Sequence, residues 1–231
     1  MWHGWIMSNL SLAEELVLLA YDDSGKSQLS GTNLDLGLGG ALLLELALAG
    51  RVDVVDKRVV VADPAPLGNP LVDGALERIR AEGRSRKPKD WVSKLSKRTR
   101  DPVLRQLVAA GILESEEDKV LLVFSRTRYP AAHGVEPPVE TEARQRLRAA
   151  ITGTADPDAR TAALCALVGA VGLDRKVFPD LPRKQVKERL KRIGEGAWAA
   201  VAVKKAIEEV QAAIMVAVIA STSAATTAGS S

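Results

Sequence analysis

Residues 40–49 read Gly-Ala-Leu-Leu-Leu-Glu-Leu-Ala-Leu-Ala and are stopped by Gly50. Apart from Glu45, such a helix is apolar around its whole circumference. It is stable only when other elements enclose it, so the chain must build a shell of structure around this segment. The shell has to be largely aliphatic, because aromatic residues make up only 3% of the 231 residues. The other helix signals supply it. Ser11 with Glu14 fits a capping box ahead of a helix over residues 12–21. Further helices are predicted over 71–81, 91–97, 103–110, 142–151, 158–171, 184–193 and 197–220. Asp101-Pro102 reads as an N-cap followed by a first-turn proline.

Strand signals are few. Residues 51–55 and 58–62 are β-branched around Asp56-Lys57, which predicts a hairpin. Residues 112–113 and 120–124 predict a second hairpin across an acidic turn, 114–119. Prolines 64, 66 and 70 impose a loop, and 129–141 reads as another. The fold class is mainly α: a single helical domain with two small β-hairpins. Residues 1–7 read as an N-terminal extension, 8–220 as the domain, and 221–231 as a small, polar, disordered tail.

Composition excludes a fibre, a disordered chain and a disulfide scaffold. The lone Cys165 can form neither an internal disulfide nor a zinc site, so no metal is expected and a reducing, cytoplasmic location is the default. The longest apolar runs, about 9–11 residues, fall short of the ~20 that a membrane helix needs. Residues 1–7 carry no basic cluster before an apolar core and do not read as a signal peptide.

Chemical motifs are weak. Asp23-Ser-Gly-Lys-Ser27 lacks the earlier glycine and the leading strand of a phosphate loop, and reads as a solvated turn. Gly37-Leu-Gly-Gly40 has neither the spacing nor the strand of a dinucleotide site, and reads as close packing at a helix start. His3 and His133 lie in the extension and in a loop. Cys165 sits in an apolar run and reads as core. Glu45 is a candidate buried acid, though a basic partner is the commoner fate of such a residue. No catalytic set, cofactor or enzymatic activity is expected.

Charge is more informative. The chain is +3 overall, yet residues 84–105 hold nine basic side chains and two acids, Asp90 and Asp101. Lys94, Lys97 and Arg98 share a helix face, and Arg100 precedes a helix N-terminus, where backbone N–H groups favour phosphate. The ligand expected there is anionic, a lipid headgroup or a nucleic acid. A winged-helix-like DNA element is the alternative, disfavoured because residues 103–113 offer only Arg105 and Gln106 to base edges.

Several stretches resemble the Golgi phosphoprotein 3 family, particularly its bacterial, actinobacterial-like branch. They are Leu10-Ser-Leu-Ala-Glu-Glu-Leu-Val-Leu-Leu19, Glu45-Leu-Ala-Leu-Ala-Gly-Arg51, Asp63-Pro-Ala-Pro66, Leu71-Val-Asp-Gly-Ala-Leu76, Asp90-Trp-Val-Ser-Lys-Leu-Ser96 and Leu107-Val-Ala-Ala-Gly-Ile-Leu113. Phe124 to Pro130 and the helix over 160–173 extend the likeness. The resemblance implies a mainly helical peripheral membrane protein on the inner face of a membrane. It implies binding of phosphatidylinositol 4-phosphate and service as an adaptor for membrane-enzyme clients. The family's headgroup pocket uses one tryptophan and three arginines. The tryptophan falls here on Ser30 and the first arginine on Gly39, so both are lost. The remaining arginines fall on Lys97 and Arg100, with Arg98 placed to compensate. The resemblance therefore implies lipid headgroup binding by Lys97, Arg98 and Arg100. The family's second hairpin is apolar and implicated in membrane insertion and self-association. Here its tip reads as the acidic stretch 114–118, which an anionic surface would repel, and residues 120–124 read as core.

Overall fold

In the computed structural model the described residues are 10–120, 124–195 and 201–228; the extension expected at 1–7 lies outside them. They form ten α-helices and two antiparallel hairpins. Helix α1 (Leu12–Ala20) opens on the capping box: Glu14 N donates to Ser11 Oγ, and Ser11 N donates to Glu14 Oε2 at 2.8 Å. Two of the helix's orphan N-terminal groups are thereby satisfied.

Helix α2 (Gly31–Leu48) is the enclosed element, but it begins well before residue 40. Gly37, Gly39 and Gly40 lie inside it rather than at its start. A Cβ on Gly37 would sit 2.7 Å from Val171 Cγ1 and 2.9 Å from Leu16 Cδ2. On Gly40 it would sit 2.3 Å from Ile214 Cδ1. Three neighbouring helices press against the bare backbone, and that approach outweighs the roughly 1 kcal/mol that each mid-helix glycine costs.

The first hairpin forms where predicted. β1 (Val52–Val55) pairs with β2 (Arg58–Val61) in the register Val52↔Val61 and Val54↔Val59. Asp56 and Lys57 both take positive φ, as a tight hairpin turn requires. Helices α3 (Pro70–Ala81), α4 (Pro88–Leu95) and α5 (Arg100–Ala109) follow. Gly111, at φ +69, closes α5.

The second hairpin differs from expectation. β3 is Glu116–Val120 and β4 is Phe124–Arg128, with Glu116↔Arg128, Asp118↔Arg126 and Val120↔Phe124 opposite. The acidic residues Glu116, Glu117 and Asp118 therefore belong to a strand, not to the tip. The residues joining the strands are Leu121-Leu122-Val123, outside the described set. Glu116 stands across from Arg128, a pairing of opposite charges that suits this register.

Helix α6 (Pro138–Thr152) starts earlier than predicted, on a first-turn proline. α7 (Ala159–Val171) is capped by Asp158 and ended by Gly172 at φ +77. A short α8 (Asp174–Val177) and then α9 (Arg183–Glu195) lead to α10 (Val201–Ala228). Residues 197–200 of the predicted last helix lie outside the described residues. The tail expected to be disordered from residue 221 is helical to Ala228. Its first hydroxyls bond back into the helix: Ser221 Oγ and Thr222 Oγ1 to Val218 O, and Ser223 Oγ to Ile219 O.

One aliphatic core runs through the helices and the first hairpin, with Trp91 of α4 its largest fully buried side chain among the described residues. By length and composition, 205–223 is apolar enough to cross a membrane, unlike the shorter runs read from sequence. One face of this stretch is core, however: Ala206, Ile207, Val210, Ala213 and Ile214 are buried.

Candidate functional site

The basic window folds into α4, α5 and the corner between them. Arg98 takes positive φ, +60°, and turns the chain from one helix into the next. Thr99 then precedes α5, and its hydroxyl bonds back to Leu95 O. Helix α5 thus begins at Arg100. Asp101 is its second residue rather than its cap, and Pro102 still falls in the first turn, where its missing N–H has no partner to lose.

Arg100 does not point freely into solvent. Its Nε donates to Asp35 Oδ1 at 2.9 Å, its Nη2 lies 2.7 Å from the same oxygen, and Nη2 also donates to Gly31 O. It therefore clamps α5 to the first turns of α2. Ser30, the N-cap of α2, receives Asn33 N at 3.2 Å beside this clamp. Tyr21 stands close by, edge-on to Tyr129 at 6.1 Å. Burial raises the Tyr21 hydroxyl above its usual range, and the nearby Arg100 charge only partly offsets this.

Gly39 lies two turns along α2. A Cβ there would be 2.4 Å from Val92 O and 2.7 Å from Ser96 N. The space an arginine would need is occupied by the backbone of α4. Lys97 follows directly, and both Lys97 and Arg98 are exposed, with no ion pair among the described residues. Arg100 thus joins α5 to the start of α2 beside Ser30, Gly39 packs against α4 further along the same helix, and of the three basic residues only Lys97 and Arg98 carry no ion pair among the described residues.

Elsewhere in the window, structure reduces the net charge. Glu82, just outside it, binds Arg86 and, at 2.6 Å, Lys94. Those hydrogen bonds, Lys94's foremost, hold the Glu82 carboxyl below its usual range. Lys94 Nζ also lies 5.8 Å from the Trp91 ring. Of the two polar residues considered as base readers, only Arg105 is exposed.

The other candidate residues are structural. Glu45 Oε1 accepts from Arg160 Nη1 at 2.8 Å, and its Oε2 accepts from Leu12 N at 2.6 Å, bracing the start of α1. Glu15 joins the same cluster through Arg146 at 2.6 Å and Arg160 at 3.5 Å. Cys165 is buried, which pushes its thiol up to about 12. His133 sits in a turn at φ +62. Asp22 Oδ1 gathers Ser24 N and Lys26 N at 3.0 and 3.1 Å, so the phosphate-loop lookalike is an aspartate-capped turn.

Sequence reasoning passed over a second basic stretch. Residues 175–192 hold eight basic and two acidic side chains, a density close to that of the first window. Arg175, Lys176, Lys187 and Arg192 are exposed there. Its charge density is legible in the sequence by counting alone.

A comparison with protein families matches residues 12–210 to the family described as Golgi phosphoprotein 3 (GPP34). The match runs from the first helix into the last.

Proposed function

The chain belongs to the Golgi phosphoprotein 3 family, and on that premise we propose that it is a non-enzymatic peripheral membrane protein. It attaches to anionic phospholipid at the α2–α4–α5 junction and acts as an adaptor for membrane-bound clients. The observation that carries this reading is the pair Lys97 and Arg98, exposed and without ion pairs among the described residues at the turn between α4 and α5. Arg100 supports the site by locking α5 to α2, and becomes a phosphate ligand only by releasing Asp35. With serine at position 30 and no room for a side chain at 39, recognition is by charge more than by headgroup stereochemistry. Preference for phosphatidylinositol 4-phosphate over other anionic lipids is therefore weak.

The test is vesicle co-sedimentation against salt. Each cation near an anionic surface contributes about 1 kcal/mol, so replacing Lys97 and Arg98 together with alanine should weaken binding about thirtyfold at low ionic strength. Binding indifferent to salt, or to this double replacement, would overturn the reading.

A further inference from the structure

Six large apolar side chains stand well exposed among the described residues, and three of them share one stripe of α10: Met215 (46% exposed), Val216 (59%) and Ile219 (62%). The opposite face of the same helix is core. A fourth, Val55, lies at the end of β1, two residues from Lys57. This clustering exceeds the scattered apolar residues that any surface carries.

Cations rim the stripe on one side. A groove of about 190 Å³ separates α10 from α4 and the first hairpin, and Lys57, Lys87 and Lys89 line it. Val216, Ala212 and Pro88 form its apolar floor, and Glu209 is the single acid in its lining. Asp56 flanks Lys57 at the hairpin turn. Along α4, Lys89 and Ser93 follow at four-residue spacing and are exposed, and Lys97 is exposed in the turn beyond the helix end at Leu95. These exposed residues lead from the groove along α4, about 9 Å from Lys89 to the helix end at Leu95, towards the Lys97–Arg98 corner. The groove on the far side of α10 has balanced charges: Arg183, Lys187 and Lys191 face Asp174, Glu195 and Glu208.

We infer that the exposed stripe of α10, with Lys57, Lys87 and Lys89 beside it, is a second membrane-docking face that lays α10 along an anionic phospholipid surface. Apolar side chains enter the headgroup layer while the lysines, whose stems reach outward from an apolar base, meet lipid phosphates. A second copy of the chain fits less well. A two-fold interface sets the same patch against itself, and the three lysines of each copy would then meet like charge. The inference rests on the proposed attachment to anionic membrane and adds the orientation: α10 and the Lys97–Arg98 corner touch the bilayer together.

The experiment places a polarity-sensitive fluorophore on Val216→Cys in the full chain, with Glu77→Cys on α3 as the exposed control. Wild-type protein, whose Cys165 is buried, supplies the labelling blank. Phosphatidylcholine vesicles with phosphatidylglycerol should shift the emission at position 216 to the blue, and vesicles without it should not. The control should stay unshifted. Replacing Lys57, Lys87 and Lys89 together with glutamine should weaken vesicle binding at least tenfold, given the attraction of each lysine. Co-sedimentation without a shift at 216 overturns this inference and leaves the proposed function standing. A shift that survives Lys97→Ala with Arg98→Ala supports this face and removes the junction as the main anchor. A shift that grows with protein concentration in the absence of vesicles identifies a second copy as the occupant and overturns the inference. No co-sedimentation with either vesicle overturns both readings.

Discussion

The close approach of α2 and α4 makes the same substitution act with opposite sign at two helical glycines. Gly39 and Gly74 both lie inside helices, and glycine at such a position costs roughly 0.5–1 kcal/mol relative to alanine. At Gly74 nothing lies within 4 Å of an added Cβ. Gly74→Ala should therefore stabilise the protein by roughly 0.5–1 kcal/mol. At Gly39 the added Cβ meets Val92 O at 2.4 Å and Ser96 N at 2.7 Å, both backbone atoms. Those contacts are roughly 1 Å inside the ~3.5 Å at which such atoms rest. Helix α4 cannot yield by rotating a side chain, and Trp91, Val92 and Leu95 hold it in the core. Overpacking of this kind costs about 1–3 kcal/mol. After the gain in helix propensity, contacts this short on backbone atoms put Gly39→Ala at a net loss of up to about 2.5 kcal/mol. For a chain of this size each kcal/mol moves the melting midpoint by about 2–4 °C. Thermal melts followed by circular dichroism should show Gly74→Ala above wild type and Gly39→Ala below it. If Gly39→Ala melts at or above wild type, close packing is not what demands glycine in the middle of α2.

Two further outcomes follow from burial and charge. Partial burial pushes the Asp158 carboxyl up, but hydrogen bonds from Thr161 and the charges of Arg146 and Arg160 more than reverse this, so its pKa lies below the usual 3.8. Its contribution to stability is accordingly present above 3.8 and lost as pH falls through the lower folded value. In urea unfolding, Asp158→Ala should cost about 1 kcal/mol at neutral pH, the ordinary worth of an N-cap, and the gap to wild type should close in acid; a gap independent of pH contradicts the capping role. Cys165, buried with its thiol at about 12, should resist a thiol-specific reagent in the native protein and react at once in denaturant. Native-state reaction at the rate of a free thiol would show that α7 opens far more readily than its packing implies.

Local signals in the chain were enough for the parts whose cause is local. The capping box of Ser11 and Glu14, the turn at Asp56-Lys57, the proline loop and the glycine stop after α5 each satisfy backbone groups within a few residues, and they can be read without knowing the fold. The enclosed helix was also legible, because no other environment tolerates such an apolar sequence. The site was legible only in part: family resemblance and charge pointed to Lys97, Arg98 and Arg100, but not to which of them keep free charge. Tertiary structure decided the rest. Gly37, Gly39 and Gly40 read as a helix start until α1, α4, α7 and α10 are seen to pack against the middle of one longer helix. Arg100 looks free until Asp35, far back in the chain, is brought against it, as Arg146 is brought to Glu15 and Arg160 to Glu45. Helix α10 runs past its apolar segment because the core anchors one face of it. In each case the deciding partner is distant in sequence and adjacent only after folding, so no window of residues could have contained the answer.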